Sequence, residues 1–386
     1  MKAVIVIPTY NEKENIGPLI EELQKVFGRI RGYSMSILVV DDNSPDGTAD
    51  VVREKMKTYR NVDLITGKKE GLGAAYVRGF KYAIGTLKAD VVFEMDADFQ
   101  HDPQDIPRFL DKIKEGYDYV LGSRYVSGGS IPKDWGIQRK FLSYFGSAFA
   151  RFVLGTRHIK DYTTGYKASR VKGFVDKINL DKILSKNFAY KIHLLYEMLS
   201  LKAKTVEIPI TFKDRERQMS KSNAFRESAE SMKVVIILRG RRNARFIKVC
   251  VVGAVGAFIQ IVLSSIFISL VGYGNVPVFG LMTVPNTVLS NVVATELAIL
   301  SNFFINNSWT FNDKKITDFG LLIKKLPAFN FLSLGSIVIQ AVVMWVGTKV
   351  LDVQSLIPYL FLVVLGILLG LIWNFTMYTR VIWRTK

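Results

Sequence analysis

The chain has 386 residues, with 52 lysines and arginines against 34 aspartates and glutamates, and 49% of its residues are hydrophobic. A disordered chain would lack this apolar content, and a soluble nucleic-acid-binding protein would not need long apolar runs, so we expect no nucleic-acid partner. The single cysteine, Cys250, excludes an intramolecular disulfide. The length suggests about two or three domains.

Strands and helices alternate over residues 1–125, where buried apolar runs are separated by amphipathic stretches. Strands are predicted at Val4–Pro8, Ser36–Asp42, Val62–Thr66, Asp90–Met95 and Tyr119–Gly122. Helices are predicted at Glu14–Arg31, Asp46–Tyr59, Gly71–Leu87 and Pro103–Lys114. This alternation predicts an α/β, Rossmann-like domain whose mostly parallel sheet is covered on both faces.

Polar residues close three of these strands, at the sheet edge where ligands bind in α/β domains. The three segments are Pro8-Thr9-Tyr10-Asn11-Glu12, Asp41-Asp42-Asn43-Ser44 and Asp96-Ala97-Asp98-Phe99-Gln100. Two carboxylates one residue apart can share a divalent ion, and Mg²⁺ prefers one or two carboxylates together with phosphate oxygens and water. Glycine-rich dinucleotide and P-loop motifs are absent from the sequence, which argues against those nucleotide-binding modes.

The last third of the chain is apolar and contains four stretches of about 20 residues or more, each long enough to cross a bilayer as a helix. We place these spans at 246–271, 284–305, 329–351 and 357–378. Twelve lysines and arginines flank the spans on one side and one, Lys349, on the other. The N-terminal domain and the C-terminus are therefore expected in the cytoplasm. Glu296 lies inside the second span, either as a functional group or as a polar contact between helices.

Further motifs narrow the interpretation: Gly122-Ser123-Arg124-Tyr125, Arg139 with Ser143, Asp161-Tyr162-Thr163-Thr164-Gly165-Tyr166, and Arg217-Gln218-Met219-Ser220-Lys221. With the three strand-end segments, they resemble the family 2 glycosyltransferases of the GT-A fold, and among them the dolichyl-phosphate mannose synthases and polyprenyl-phosphate sugar transferases. The four spans resemble the GtrA-like membrane domain fused to some of these enzymes. The resemblance implies a GT-A domain over 1–220, a basic amphipathic interface helix over 221–245 and an all-α transmembrane domain over 246–386.

The same resemblance implies a nucleotide-sugar donor, usually GDP-mannose, and a dolichyl or polyprenyl phosphate acceptor. The implied donor-binding residues are Pro8, Tyr10, Glu12, Val40, Asp42, Asp96, Ala97, Asp98, Lys191 and Arg217. Mg²⁺ or Mn²⁺ would be held against the donor diphosphate by Asp96, Asp98 and Gln100. Asp98, Arg217 and Lys221 are the implied catalytic residues, because the metal and the two cations would assist departure of the diphosphate.

The acceptor phosphate is implied to contact Arg124, Arg139 and Ser143. Phe141, Phe145, Phe149 and Phe152 recur at four- and three-residue spacing, which is typical of an amphipathic helix lying in the membrane interface. Such a helix could present the lipid phosphate to the donor site, although packing against the protein core would give the same pattern. Membrane lipids are therefore expected partners.

A phosphate monoester needs no general base, because its second pKa is about 6 and its oxygen is already anionic near neutral pH. We expect attack in one step with inversion at the anomeric carbon. We therefore predict no obligatory catalytic base. Asp161 is the best rival candidate, although a purely structural role of its loop is the alternative. Without a catalytic base, Asp161→Asn is expected to retain substantial turnover, whereas Asp98→Asn should abolish it.

The runner-up reaction uses UDP-glucose or another nucleotide sugar. A function of another class is also open for the membrane domain, which could translocate lipid-linked sugars. Alternatively, it could only anchor the enzyme and form homo-oligomers.

Overall fold

The structure is a computed structural model that describes residues 1–132, 135–213, 224–278, 282–347 and 356–384. The chain forms two compact units, Met1–Arg239 and Gly240–Lys386. The domain boundary predicted at residues 220 and 221 lies outside the described residues. The basic segment that follows is a helix, Ala224–Arg242, and the two units divide within its last turn, between Arg239 and Gly240.

A seven-stranded sheet forms the centre of the first unit. Its strands are β1 (Lys2–Thr9), β2 (Ser34–Asp41), β3 (Val62–Thr66), β4 (Val91–Glu94), β5 (Tyr119–Ser123), β6 (Lys167–Arg170) and β7 (Thr205–Pro209). Their spatial order is β3-β2-β1-β4-β6-β5-β7. Strand β6 runs antiparallel to both of its neighbours, and the other pairs are parallel. The predicted mostly parallel sheet is confirmed.

Helices cover both faces of this sheet. They are α1 (Lys13–Phe27), α2 (Thr48–Thr58), α3 (Leu72–Gly85), α4 (Ile106–Lys114), α5 (Ile137–Leu154), α6 (Tyr190–Ser200) and α7 (Ala224–Arg242). Alternate residues of β1 enter two different cores, with Val4 and Val6 on one face and Ile5 and Ile7 on the other. The strand is thus apolar from Ala3 to Pro8 because both of its faces are buried.

The carboxyl ends of β1, β2 and β4 meet at one edge, because β1 pairs in parallel with both of the other strands. After each strand the chain turns through one residue with a left-handed backbone: Asn11 (φ 58°), Asn43 (φ 52°) and Phe99 (φ 60°). Asparagine tolerates this conformation, whereas a bulky residue such as Phe99 is held there only at an energetic cost. Such strain is concentrated at functional sites in many proteins, so this edge is the place to look for one.

Among the described residues of the second unit, four helices are long and apolar enough to cross a membrane, as predicted. They are α8 (Ala244–Val271), α9 (Asn286–Ile305), α10 (Phe319–Trp345) and α11 (Leu356–Met377), and a hairpin of β8 (Asn275–Val278) and β9 (Met282–Pro285) joins the first two. The third helix begins at Phe319 rather than at 329. The Asp318 carboxylate accepts the Leu321 N–H at 2.6 Å and caps this helix, so the lysines taken for a loop lie in its first turns.

Asn307 joins three segments at one end of this helical unit. It lies in the π-helical turn Asn306–Thr310 that extends α9. Its side chain donates to the Ile316 carbonyl at 3.1 Å and accepts the Ile316 N–H at 2.9 Å and the Trp383 indole N–H at 3.0 Å. Trp383 in turn stacks on Phe311 with ring centroids 4.3 Å apart. The turn that extends α9 is therefore tied through Asn307 and Phe311 to Trp383, near the end of the fourth span.

Replacing Asn307 should loosen this end of the helical unit. In Asn307→Ala, the N–H groups of Ile316 and Trp383 lose their buried acceptor, so we expect the free energy of unfolding to fall by about 1–3 kcal/mol. Tryptophan fluorescence during thermal melting in detergent measures the change. Asn312→Ala is the matched control, since Asn312 is exposed. Equal melting temperatures for the two variants would show that the Asn307 bonds are not needed.

Candidate active site

A cavity of about 350 Å³ opens at the edge where β1, β2 and β4 end. Seven of the ten predicted donor-binding residues line it: Pro8, Tyr10, Glu12, Asp42, Asp96, Ala97 and Asp98. Of the other three, Val40 lies in the hydrophobic core, and Lys191 is almost fully buried beside the cavity. Arg217, like the predicted catalytic Lys221, lies outside the described residues. The structure thus gathers the strand-end segments in one place, while their binding roles stay predictions.

Several residues that line the cavity were not predicted from the sequence to bind a ligand, among them Lys69 and Phe188. The Lys69 ammonium lies over the Tyr10 ring, 3.3 Å from its centroid. Lys69 follows β3, which runs parallel to β2. Because ligands bind at the carboxyl ends of parallel strands, Lys69 could have been predicted in the same way as the residues after the other strands. Phe188 carried no such signal, since it precedes a helix rather than following a strand.

The two aspartates at the end of β2, where Asp41 closes the strand and Asp42 follows it, have different roles. The Asp41 carboxylate is fully buried and accepts hydrogen bonds from the Thr9 hydroxyl at 2.9 Å and from the Ser44 hydroxyl at 2.6 Å and N–H at 2.8 Å, so it stabilises the turn. Asp42 lines the cavity and forms an ion pair with Arg78 of α3. Burial raises the pKa of Asp42 above its usual range, and Arg78 only partly offsets this.

Asp96 is surrounded by groups that fix its position. The Tyr76 hydroxyl donates to Asp96 Oδ1 at 3.1 Å, and the Lys191 ammonium lies 3.7 Å from Oδ2. His101 Nδ1 accepts the Asp96 backbone N–H at 3.1 Å. Burial lowers the pKa of His101 to about 4, so the ring is neutral and can accept that bond. Both the backbone and the carboxylate of Asp96 are therefore held in place.

A buried ion pair lies behind Lys191. Lys167 and Glu94 are both fully buried, with Nζ 3.8 Å from Oε2. Burial lowers the pKa of Lys167 to about 8 and raises that of Glu94. The Lys167 ammonium also donates to the Lys191 backbone carbonyl at 3.2 Å, and the Tyr190 hydroxyl donates to Glu94 at 2.7 Å. This network links the start of α6, which carries Lys191, to β4 and β6.

Gly165 leaves the room in which the Lys191 side chain lies. A Cβ at this position would overlap the Lys191 ammonium and would lie 3.1 Å from Asp96 Oδ2. A larger residue would therefore have to displace the amine from the carboxylate. Gly165 belongs to the Thr-Thr-Gly-Tyr motif, whose local function the sequence alone did not reveal.

The residues at this edge suit a divalent cation whose coordination shell is completed by oxygens of the substrate. Asp96 and Asp98 both line the cavity, and among the described residues no three acidic, histidine or cysteine side chains are grouped to hold a metal alone. Two carboxylates combined with phosphate oxygens and water are the ligand set that Mg²⁺ prefers. Gln100, the third predicted ligand, is buried, and its side-chain amide donates to the Lys213 carbonyl at 3.2 Å.

A second cavity, of about 310 Å³, adjoins the first, and Phe188 and Glu227 line both. Its walls are largely apolar, and they include all three predicted acceptor residues, Arg124, Arg139 and Ser143. The Arg139 guanidinium lies over the Trp135 ring at 4.0 Å, and Ser143 accepts a hydrogen bond from the Tyr125 hydroxyl at 2.7 Å. The combination of cations with apolar walls suits an amphipathic phosphate.

Arg124 and Asp161 form a buried, two-pronged ion pair. Arg124 Nε donates to Asp161 Oδ2 at 2.8 Å and Nη2 donates to Oδ1 at 2.7 Å. Burial alone would raise the pKa of Asp161, but the charge and hydrogen bonds of Arg124 outweigh it and lower the pKa. The carboxylate is fully buried and both of its oxygens are engaged. This geometry makes Asp161 a poor general base and a strong support for Arg124.

One face of α5 is apolar and exposed. Phe141, Phe145 and Phe152 are 63%, 45% and 80% exposed, whereas Phe149 packs against the core. Exposed aromatic residues in such a row are costly in water and typical of a helix at a membrane surface. The interfacial interpretation of this helix therefore fits three of its four phenylalanines.

Comparison with known proteins identifies the class. The glycosyl transferase family 2 profile matches residues 4–176, and the profile of the GtrA/DPMS transmembrane domain matches residues 245–383. A dolichol-phosphate mannosyltransferase of Pyrococcus furiosus is 32% identical over 388 residues, which is the full length of both chains. An undecaprenyl-phosphate mannosyltransferase of Micrococcus luteus is 38% identical over 224 residues, 57% of this chain and 87% of that protein. A polyprenol monophosphomannose synthase of Mycolicibacterium smegmatis is 39% identical over 224 residues, 57% and 80% of the two chains.

The sheet, the acidic strand ends and these matches define a glycosyltransferase with a GT-A-like catalytic domain. The chain belongs to the dolichyl- and polyprenyl-phosphate mannose synthase family, in the group whose catalytic domain is fused to a GtrA/DPMS transmembrane domain.

Gly165→Ala should displace Lys191 and weaken catalysis. Losing a charged contact of about 1.5–3 kcal/mol corresponds to a fall of about tenfold or more in kcat/KM for the sugar donor. Gly85→Ala is the control, because a Cβ there meets nothing within 4 Å. Steady-state kinetics of both variants measure the effect. Unchanged kinetics in Gly165→Ala would mean that the Lys191 contact with Asp96 is dispensable.

Asp161→Asn, which is expected to retain substantial turnover if no base is needed, should nevertheless lose stability. Without the carboxylate, the buried Arg124 charge loses its partner, so we expect the free energy of unfolding to fall by about 3–5 kcal/mol and activity to fall with it. Because the pKa of Asp161 is lowered, the stabilisation is present at neutral pH and is lost as the pH falls through the folded-state pKa.

Thermal melting of the wild type and of Asp161→Asn from pH 7 downward checks this prediction, because the stability difference between them should shrink as Asp161 of the wild type becomes protonated. Asp50→Asn is the control, since Asp50 pairs with Arg53 on the surface and is 76% exposed. A normal melting temperature combined with lost turnover would contradict the supporting role and restore Asp161 as a base.

Proposed function

We propose that this enzyme transfers mannose from GDP-mannose to the phosphate of a dolichyl or polyprenyl phosphate at the membrane surface. One observation carries the proposal: a cavity lined by carboxylates adjoins an apolar cavity lined by arginines, and the two share the wall formed by Phe188 and Glu227. The first suits a nucleotide diphosphate bound with a cation, and the second suits a phosphate attached to a hydrocarbon chain. The names of the three relatives support mannose as the sugar and a polyprenyl phosphate as the acceptor.

In the donor cavity, Glu12 and Asp42 would accept hydrogen bonds from the base or ribose of the nucleotide. Asp96 and Asp98 would hold Mg²⁺ or Mn²⁺ against the diphosphate. When bound, the metal supplies positive charge to the leaving diphosphate oxygens. Lys191, which Gly165 and the Glu94–Lys167 pair hold beside Asp96, adds a second positive charge from the protein. The family resemblance favours GDP-mannose as the donor.

In the acceptor cavity, Arg124 and Arg139 would orient the lipid phosphate, and the apolar walls would exclude water from it. One phosphate oxygen then attacks the anomeric carbon as the bond from that carbon to the nucleoside diphosphate breaks, so the configuration inverts. The attacking oxygen is already ionised near neutral pH. The engagement of Asp161 by Arg124 supports a mechanism in which no side chain removes a proton.

The proposed location at the membrane surface depends on the exposed phenylalanines of α5 and on the distribution of basic residues around the spans. The exposed phenylalanines of α5 would enter the lipid interface and bring the acceptor cavity to the level of the headgroups. The twelve basic residues on one side of the spans favour a cytoplasmic catalytic domain and C-terminus.

A transfer assay with the purified full chain tests the proposal. GDP-mannose and UDP-glucose are offered in turn with polyprenyl phosphate, with Mn²⁺, with Mg²⁺ and with a chelator. We expect mannosyl lipid from GDP-mannose, no product under chelation, and recovery when metal is restored. Glucosyl lipid from UDP-glucose alone would establish the runner-up reaction, and product formation under thorough chelation would contradict the metal-dependent scheme.

Asp98→Asn should abolish this transfer. Removing one of two carboxylates that would bind the metal should lower kcat by about a hundredfold or more, because the cation stabilises the leaving group by several kcal/mol. Asp181→Asn is the control, since Asp181 is a surface carboxylate that is 74% exposed. Comparable rates for the two variants, at equal melting temperatures, would remove Asp98 from the mechanism.

A further inference from the structure

The donor and acceptor cavities meet at a wall formed by Phe188 and Glu227, which line both of them. In the function proposed above, the diphosphate lies beside Asp96 and Asp98 and the acceptor phosphate beside Arg124. The anomeric carbon must then lie between the two phosphates, because one attacks it as the other leaves. The transferred sugar therefore has to occupy the junction of the cavities, for which no binding residue has yet been named.

Glu227 lies on the face of α7 that packs against the catalytic domain. Ser231, Val234 and Leu238 follow it at intervals of four, three and four residues and are 7%, 3% and 0% exposed. Residues at this spacing share one face of a helix. Val234 and Leu238 belong to the same core as residues of β1 and β2. The half-buried Glu227 is thus on the side of the helix that faces the domain and its two cavities, and not on the solvent side.

Glu230 joins α7 to the segment that carries Phe188. Its carboxylate accepts hydrogen bonds from the Ser185 hydroxyl at 2.6 Å and from the Asn187 side-chain amide at 3.2 Å. Ser185 is buried, and Asn187 directly precedes Phe188. These bonds hold together the two parts of the wall, which come from distant parts of the chain.

The segment before Phe188 also packs closely against the start of α3. A Cβ on Gly73, in the first turn of that helix, would lie 2.9 Å from the carbonyl oxygens of both Ser185 and Asn187. The two backbones can approach this closely because glycine has no side chain. Leu72, which precedes Gly73, lines the donor cavity. The position of the wall is therefore fixed relative to the donor cavity as well as to α7.

A carboxylate beside an aromatic ring suits a hexose. A carboxylate has two oxygens and about four acceptor positions, so Glu227 can bind a sugar hydroxyl in addition to a protein donor. It would repel either phosphate, which makes the uncharged sugar between them its favourable ligand at the junction. The Phe188 ring offers an apolar surface to the C–H bonds of a pyranose. The Lys191 ammonium lies 4.7 Å from the centroid of this ring and 3.7 Å from Asp96, so the wall begins where the diphosphate would end.

We propose that Glu227 and Phe188 form the subsite for the transferred hexose. Glu227 accepts hydrogen bonds from hydroxyls of the sugar, and Phe188 packs against its C–H face. This subsite rests on the proposed function and adds to it the residues that recognise the sugar. A site that binds hydroxyls in this way discriminates against a sugar that lacks one of them.

Donor analogues test the contact directly. The purified full chain is assayed with polyprenyl phosphate, Mn²⁺ and either GDP-mannose or analogues that each lack one hydroxyl of the mannose. In the wild type we expect at least one analogue to lower kcat/KM by about tenfold or more, because the Glu227 carboxylate loses its donor. In Glu227→Ala the same analogue should cost less than about threefold, since the contact is already absent.

The comparison between the two proteins cancels the effect of the missing hydroxyl on the chemistry itself. Glu227→Gln keeps the size of the side chain and one acceptor oxygen, so it serves if Glu227→Ala does not fold, and it should give a loss smaller than that of the wild type. Equal losses in the wild type and both variants for every analogue, or no loss in the wild type for any of them, would overturn the subsite.

Binding of GDP separates this subsite from the rest of the donor cavity. GDP carries no mannose, so its Kd by isothermal titration should agree within about twofold between Glu227→Ala and the wild type. Glu54→Ala is the control for the kinetics, since Glu54 is a surface residue of α2 that is 69% exposed. Mannosyl transfer by the wild type with equal analogue losses in the variants would remove only the sugar subsite. Absence of mannosyl transfer by the wild type would overturn the proposed function and the subsite with it.

Discussion

The repulsion between carboxylates at one sheet edge is the constraint on which the catalytic domain depends. Parallel pairing of β1, β2 and β4 brings Asp42, Asp96 and Asp98 to the same cavity. The chain compensates part of this charge itself, by Arg78 beside Asp42 and Lys191 beside Asp96. In the proposed mechanism, a divalent cation that arrives with the substrate would add to this compensation.

The strand ends could be predicted from the sequence because they are local: each is a polar segment directly after an apolar strand. The partners of those segments could not. The contacts of Lys191 with Asp96, of Asp161 with Arg124, and of Arg78 with Asp42 join residues far apart in the chain. The spacing of these residues in the sequence does not predict that they are in contact. Of the two alternatives for Asp161, a rival base or a structural residue, the Arg124–Asp161 pair favours the structural one.

In the membrane unit, too, local features could be predicted from the sequence, whereas contacts between distant segments could not. Apolar length alone predicted four spans, and the four helices are present. The start of the third helix was placed too late, because Lys324 and Lys325 resembled a loop while the cap at Asp318 was overlooked. The role of Asn307 could not be predicted, since its partners Ile316 and Trp383 come from other segments. Sequence therefore defines which segments are apolar, and buried polar contacts define how their ends are joined.

The central claim is that the acidic cavity binds a nucleoside diphosphate through a shared divalent cation. Isothermal titration of GDP into the purified full chain, with saturating Mn²⁺ and then with a chelator, tests it without requiring turnover. The account predicts binding that weakens by at least about tenfold under chelation. Equal GDP affinity in the two conditions would contradict it.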